Sequence, residues 1–222
     1  MINYTAVVIG GTGLIGSSLV NQLLNNNQYD KVIIIARRWN DQHHPKMEVI
    51  IVNFEDKNEL VQKFPLGSHI FCCIGTTQKK VSGNKEAYRR IDFDIPYTIA
   101  KLGIEKGYSQ YLLVSAAGAN STSSNFYLNL KGTLEDALCK LSFQSIHLFR
   151  PSVLLGKRKE NRWGERLAKF FVIAFSFMLR GKMTKYKAIH SKKVAHAMLT
   201  AATKNKNGQF IYHYDEMITM NE

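Results

Sequence analysis

The stretch Val7-Val8-Ile9-Gly10-Gly11-Thr12-Gly13-Leu14-Ile15-Gly16 joins a short apolar run to a helix-forming one through glycines at 10, 13 and 16. That spacing suits a strand bending sharply into a helix whose free N–H groups face an anion. Gly10 permits the tight turn, Gly13 lets a phosphate approach the backbone, and Gly16 lets helix and strand pack closely. Glycine triplets also occur in loops that bind nothing, so a bare strand-to-helix turn is the alternative. The strand before and the helix after favour the phosphate cradle.

Downstream of the turn, Leu14, Ile15, Leu19, Leu23 and Leu24 recur at helical spacing, and Asn25-Asn26-Asn27 ends that helix. Lys31 to Ala36 is an apolar, β-branched run that reads as a strand buried on both faces, closing in Arg37-Arg38. Met47 to Val52 is a third strand, ending at Asn53-Phe54, with a short polar helix from about Asp56 to Lys63. His69 to Ile74 is the fourth, ending at Gly75-Thr76-Thr77. A polar, lysine-rich loop runs through Asn84, and a helix is expected over about Asp94 to Lys106, stopped by Gly107. Gln110 to Val114 is the fifth strand, ending in Ser115, and a helix follows from about Phe126 to Leu141. Ser145 to Phe149 is the sixth strand, stopped by Pro151. Beyond it stand a basic loop, an apolar helix over Trp163 to Leu179, a helix near Lys192 to Thr203 and a last strand at Gln209 to Tyr214.

Buried strands alternating with helices imply an α/β fold: a doubly wound parallel sheet in the Rossmann manner, with helices on both faces. The chain reads as one domain over 1–222, with a cofactor-binding core to about 155 and a small substrate-side extension from about 156. Ligands of such folds bind at the carboxyl ends of the strands. That rule gathers Gly10 to Gly16, Arg37-Arg38, Asn53-Phe54, Gly75-Thr76 and Ser115 along one sheet edge.

Of the 222 residues, 45% are hydrophobic and 21% charged, a balance that excludes a disordered chain. No signal peptide is apparent. The longest apolar stretch, Phe170 to Leu179, is about half a membrane span, so no transmembrane helix is expected. Cys72, Cys73 and Cys139 offer neither a disulfide framework nor metal-ligand spacing with histidines, which points to a reducing, cytoplasmic setting and to no metal. The formal charge of +13 is concentrated in the C-terminal third, in Lys157-Arg158-Lys159, Arg180, Lys185, Lys187 and Lys192-Lys193 among others. Without an interleaved aromatic motif it does not indicate specific nucleic-acid binding. It reads as a solvated basic face or as attraction for a phosphorylated ligand.

Arg37-Arg38 stand about twenty residues after Gly16, where an NAD-binding site usually offers an acidic residue to the ribose. A guanidinium there suits the 2′-phosphate of NADP, since it pairs bidentately with a dianion; two solvated arginines are the alternative. Asn53 and Phe54 would flank the adenine, and Gly75-Thr76 would leave room for the pyrophosphate and ribose. For chemistry, a tyrosine with a lysine one helical turn later stacks both side chains on one face. The ammonium favours the phenolate and makes the phenol a usable proton shuttle. Tyr97 with Lys101 and Tyr127 with Lys131 both have this spacing, and with ten tyrosines one match is expected by chance. Position separates them. Tyr127 opens the helix after the strand that ends in Ser115, whose hydroxyl could bond a substrate carbonyl. Tyr97-Lys101 lies one crossover too early and is read as surface.

The order of the glycine motif, Arg37, Cys73-Ile74-Gly75-Thr76, Ser115, Tyr127-Leu128-Asn129-Leu130-Lys131 and Arg150-Pro151-Ser152-Val153 resembles the short-chain dehydrogenase/reductase superfamily. Within it the chain is similar to the atypical, NAD(P)-binding branch that includes the Tat-interacting protein and its bacterial oxidoreductase-like relatives. Phe71 to Thr77, Ser123-Ser124-Asn125-Phe126 and Phe149 to Leu155 carry the closer match. Ile189-His190 with Val194-Ala195 resembles a helix entry of the extended, epimerase-like members.

The resemblance implies a cofactor fingerprint at Gly10, Gly13 and Gly16, with Thr12, Leu14 and Ile15 against the pyrophosphate. It implies an NADP-selecting Arg37, aided by Arg38, and cofactor-lining Cys73, Ile74, Gly75 and Thr76. Pro151, Ser152 and Val153 would lie beside the nicotinamide. Ser115 would hold the carbonyl, Tyr127 would give the proton, and Lys131 would lower the phenol's pKa and bond the ribose. Asn53 departs from the aspartate usual near the adenine. The expected activity is NADP(H)-dependent reduction of a small-molecule carbonyl, NADP(H) being preferred over NAD(H), by a monomer or homodimer. A regulatory NADPH-binding protein and a nucleotide-sugar epimerase or dehydratase are the rivals. Two readings stay open. His190 either meets a substrate phosphate or caps and packs, and the Trp163 to Leu179 aromatics either line a pocket, form a dimer face, touch a membrane or fill the core.

Overall fold

Seven strands of the described residues, all parallel, pair into one sheet. A computed structural model describes residues 3–39, 42–156 and 181–221. The helix expected over Trp163 to Leu179 and the Lys157-Arg158-Lys159 run lie outside the described residues. The strands of this sheet are β1 Tyr4–Ile9, β2 Tyr29–Ala36, β3 Met47–Ile51, β4 His69–Cys72, β5 Gln110–Val114, β6 Ser145–Phe149 and β9 Gly208–Tyr212, and they stand in the order β3-β2-β1-β4-β5-β6-β9. This is the Rossmann arrangement the alternation predicts, and its direction of winding reverses between β1 and β4.

Period-2 alternation sorts the strand side chains onto two faces. Val8, Ile34, Phe71, Leu112 and Phe149 point to one side and bury against α1 (Leu14–Leu24) and α6 (Ser191–Thr203). Ile9, Ile33, Ile70, Leu113 and Leu148 point to the other. They meet α2 (Lys57–Lys63), α4 (Ile95–Glu105) and α5 (Phe126–Leu138) through Leu60, Ile99 and Leu134. Burying each such side chain contributes roughly 1.5–3 kcal/mol, which is why continuous Val/Ile runs specify strands here rather than helices.

Register places the strand ends together. Ile9 lies opposite both Ile35 and Cys72, Cys72 opposite Leu113, and Val114 opposite Phe149. The segments that follow, Gly10, Arg37, Cys73-Gly75, Ser115 and Arg150, therefore share one edge.

The helix expected at Asp94 begins earlier. Asn84 accepts a hydrogen bond from Ala87 N–H and caps α3 (Lys85–Arg89), which runs through a wide π-type turn (Arg90–Asp94) into α4. The lysine-rich composition hid that start, although an asparagine cap marks it. Tyr97 is half-buried against Phe93 rather than on the surface, whereas Lys101 is exposed. The final strand ends at Tyr212, and α7 (Tyr214–Thr219) follows, its start held by Glu216, whose carboxylate accepts the His213 N–H at 2.9 Å. Unanticipated, too, is a two-stranded parallel pair, β7 (Leu154–Leu155) with β8 (Ile189–His190).

Candidate active site at the carboxyl edge of the sheet

The glycine turn is tight in the way its spacing requires. Gly10 has φ +80°, and Gly13 N–H donates to Gly10 O at 2.9 Å. A Cβ on Gly10 would stand 2.6 Å from the Cys73 carbonyl carbon, and one on Gly16 would stand 2.1 Å from Gly10 O. The first turn of α1 has no side-chain cap and no acidic residue, so its positive end is open to an anion. Thr12 and Gly13 are exposed there, Leu14 is half-buried and Ile15 is buried. Gly16→Ala is expected to cost about 1–3 kcal/mol of stability, because the methyl group meets backbone that cannot rotate away. It is also expected to weaken dinucleotide binding, measurable together as melting temperature with and without NADPH. Unchanged values for both would refute the close-approach argument.

At the end of β2, Arg37 and Arg38 are exposed and make no ion pair among the described residues. Beside them Trp39, which sequence reasoning missed, lies half-buried, 3.6 Å from where a Cβ on Gly11 would stand, its Nε1–H donating to Gln42 O. At the end of β3 the exposed Asn53 closes an Asx turn by accepting from Glu55 N–H, and Phe54 is 9% exposed within the core. Cys73 and Ile74 are half-buried and Gly75 is exposed.

At the end of β5, Ser115 is buried, and its Oγ has no hydrogen-bond partner among the described residues. An orphaned buried hydroxyl costs free energy unless something pairs with it, and Ser115 follows the strand end on the edge to which the nucleotide cradle belongs. Asn125 caps α5 by accepting from Leu128 N–H. That helix carries Tyr127, Lys131 and Glu135, one helical turn apart and on one face. Tyr127 is half-buried, edge-on to Tyr88 at 6.1 Å. Lys131 is buried and pairs with the buried Asp92 at 2.9 Å. Glu135 receives a fork of hydrogen bonds from Arg150 at the end of β6, which pins that strand end to α5. Pro151 is buried, Ser152 Oγ donates to Lys187 O, and Val153 is half-buried.

Electrostatics modify one expectation. Burial pushes the Tyr127 phenol above its ordinary value; Lys131 pulls it down and Asp92 adds to the rise. Burial also works to lower the Lys131 ammonium, but Asp92 and Tyr127 outweigh it and the net direction is upward. At neutral pH the pair is therefore neutral phenol and charged lysine, not phenolate.

The sequence of residues 10–141 matches the family model described as NAD(P)H-binding. The chain belongs to the NAD(P)H-binding family. Rattus norvegicus protein HTATIP2 is 33% identical over 174 residues, 77% of this chain and 71% of the relative. Meyerozyma guilliermondii protein FMP52, named mitochondrial, is 34% identical over 155 residues, 69% of this chain and 66% of the relative. Among solved structures, MoeE5 in complex with UDP-glucose and NAD superposes with a TM-score of 0.70 at 16% identity, over 97% of this chain and 80% of that one. These likenesses agree with the resemblance to the short-chain dehydrogenase/reductase superfamily, and the last of them shows the fold. The glycine cradle and open helix end of this NAD(P)H-binding chain fit the dinucleotide. Among the described residues no His, Cys, Asp and Glu group could hold a metal, and no helix is long and apolar enough to cross a membrane.

His190 occupies the N-cap position of α6, exposed and without a side-chain cap bond. Sequence reasoning missed Asp92, Tyr88 and the Glu135–Arg150 pair. The four-residue spacing Tyr127, Lys131, Glu135 carried a signal for the last; Asp92 had none, since its partner is 39 positions away.

Proposed function

We propose that the protein is an NADP(H)-dependent oxidoreductase that reduces a carbonyl on a small molecule. The observation that carries this reading is an orphaned, buried Ser115 hydroxyl on the same sheet edge as the glycine cradle, with Tyr127 and Lys131 on the helix that follows Ser115. Gly10 to Gly16 and the N-terminus of α1 would bind the pyrophosphate, Arg37 and Arg38 the 2′-phosphate, and Pro151 to Val153 the nicotinamide side. A reduced nicotinamide dinucleotide supplies the hydride that turns the carbonyl carbon into a carbinol. Ser115 orients the carbonyl oxygen, and Tyr127 donates the proton that this oxygen takes up. Lys131 stabilises the phenolate left behind, which regains its proton from solvent.

Cofactor choice tests the arginine argument. NADPH is expected to bind more tightly than NADH, and Arg37→Ala to remove most of the difference, about 1.5–3 kcal/mol for a charge-assisted pair. Thermal-shift titration reads both, because a ligand bound to the folded state raises the melting temperature by mass action. Equal affinities in the wild type would overturn it. Oxidation of NADPH in the presence of a broad carbonyl panel tests the reductase reading.

A second reading, an NADPH-binding regulatory protein, draws support from the engagement of Lys131 with Asp92. It gains if NADPH binds and no carbonyl is turned over. The reducing setting inferred from the cysteines suits cytoplasm, and the mitochondrial name of the FMP52 relative makes a mitochondrial setting the competing assignment.

A further inference from the structure

Lys85, Lys185 and Lys187 make no ion pair among the described residues, and each holds its ammonium over an aromatic ring instead. Lys85 Nζ lies 5.5 Å from the centre of the Phe126 ring, Lys185 Nζ 5.1 Å from that of Tyr186 and Lys187 Nζ 5.8 Å from that of Tyr214. Two of these rings and the Lys187 backbone stand at the candidate active site. Phe126 precedes Tyr127 on α5, and both pack edge-on to the buried Tyr88. The exposed Tyr186 has its hydroxyl 3.9 Å from where a Cβ on Gly118 would stand, in the loop that begins with Ser115. Lys187 O accepts the Ser152 hydroxyl from the segment after β6. The carboxylates around this edge are engaged with other groups: Asp92 with Lys131, Glu135 with Arg150, Asp215 with the Thr184 hydroxyl and Glu216 with the His213 N–H. Glu86 follows Lys85 directly, and adjacent positions on a helix do not face each other. The phosphates of a dinucleotide do not account for these lysines. The groups that would bind them, Gly10 to Gly16, the start of α1 and Arg37-Arg38, follow β1 and β2, whereas the lysines gather around the segments after β4, β5 and β6.

We propose that the substrate is an acidic carbonyl compound: an apolar, ring-sized body with the carbonyl at one end and a carboxylate or phosphate group at the other. The carbonyl reaches Ser115 and Tyr127, the body lies against the aromatic side chains of Phe126 and Tyr186, and the oxyanion group meets the lysines at the rim. An ammonium above a ring has exchanged part of its water for the ring's negative face, so it gives up less hydration when an anion arrives than a fully solvated lysine does. Lys185 and Lys187 are half-buried, which reinforces this. Three cations without carboxylate partners around one cleft also raise the local concentration of anionic ligands. The proposal rests on the reductase reading for calling this ligand a substrate; the preference for an acid is a property of the binding site.

The test is calorimetric titration of the full chain, saturated with NADP+, with three para-substituted ketones: 4-acetylbenzoate, 4-acetylphenyl phosphate and the neutral 4-methylacetophenone. At about 0.05 M salt the better of the two acidic ketones is expected to bind about tenfold more tightly than the neutral one, and at about 0.5 M salt the advantage is expected to shrink. The two acidic ketones distinguish a carboxylate from a phosphate. Lys85→Gln/Lys185→Gln/Lys187→Gln is expected to abolish the advantage. A control, Lys101→Gln/Lys140→Gln/Lys204→Gln, removes the same charge from exposed positions on or just past α4, α5 and α6, toward the opposite edge of the sheet, and is expected to retain it. Acidic ketones that bind no more tightly than the neutral one, absence of binding by all three included, overturn the proposal. So does an equal loss in the two triple variants, which would make the effect one of net charge. Preferential binding of an acidic ketone without oxidation of NADPH would count against the reductase reading and not against the recognition of an acid.

Discussion

Tyr127→Phe is expected to slow carbonyl reduction by about 10²–10⁴-fold, the range in which a positioned general acid contributes, while NADPH affinity stays close to that of the wild type. The substitution removes one oxygen and keeps the ring, so the edge-on contact with Tyr88 and the packing of α5 survive. Ser115 and the Lys131–Asp92 pair are untouched. What is lost is the proton that the carbonyl oxygen takes up, a loss of roughly 3–5 kcal/mol of transition-state stabilisation. Paired assays separate binding from chemistry: NADPH fluorescence for affinity and NADPH absorbance for turnover. A variant as fast as the wild type on a substrate that the wild type reduces would remove Tyr127 from the mechanism. The pH dependence has a definite sign. Burial and Asp92 hold the phenol above its ordinary value, so the donor form is complete through neutral pH. Reduction declines only on the alkaline side, as the phenol loses its proton.

Acid is expected to destabilise the protein well before its carboxylates titrate fully. His69 and His147 are 0% and 1% exposed, and burial pushes each imidazole down to about 4; His147 adds to the effect on His69. Nδ1 of His69 pairs with the Tyr29 hydroxyl at 2.7 Å and Nδ1 of His147 with the Tyr212 hydroxyl at 3.0 Å. Both Nε2 atoms are buried without a partner among the described residues, so a proton added there has no acceptor. The unfolded chain carries the ordinary histidine pKa of about 6.5 and takes up protons that the folded chain refuses between pH 6.5 and 4. Stability is therefore full above pH 6.5, falls as pH drops to 4, and loses little more from these groups below that. At about 1.4 kcal/mol per pH unit, each histidine accounts for about 3 kcal/mol, of order 6 kcal/mol together. Urea unfolding at pH 7 and pH 4.5 measures the loss. In His69→Gln/His147→Gln the dependence should flatten, even if the variant is less stable at pH 7. Equal wild-type stabilities at the two values would exclude buried neutral histidines.

Much of the cradle was readable from local pattern. The Gly10, Gly13, Gly16 spacing, the β-branched runs and the strand-to-helix alternation all act over fewer than about twenty residues, and each prescribes backbone geometry directly. The parallel sheet and its carboxyl edge followed from them. Helix starts were less legible. Asn84 begins a helix whose lysines and single proline, Pro96, resemble loop composition, and only its cap reveals it. Tyr127 and Lys131 were separated from Tyr97 and Lys101 by chain order, because both pairs have the same spacing.

The local pattern of residues thus specified the elements, their alternation and the glycine turn, because those depend on backbone sterics and on the period of apolar side chains. It could not specify that Lys131 is already engaged. Asp92 reaches Lys131 because an extra residue in a helix turn and the packing of α4 beside α5 bring distant positions together in a space without water. The protonation of Tyr127 and the acid sensitivity of His69 and His147 belong to the same class. Each depends on desolvation, and desolvation is a property of the assembled sheet and its covering helices.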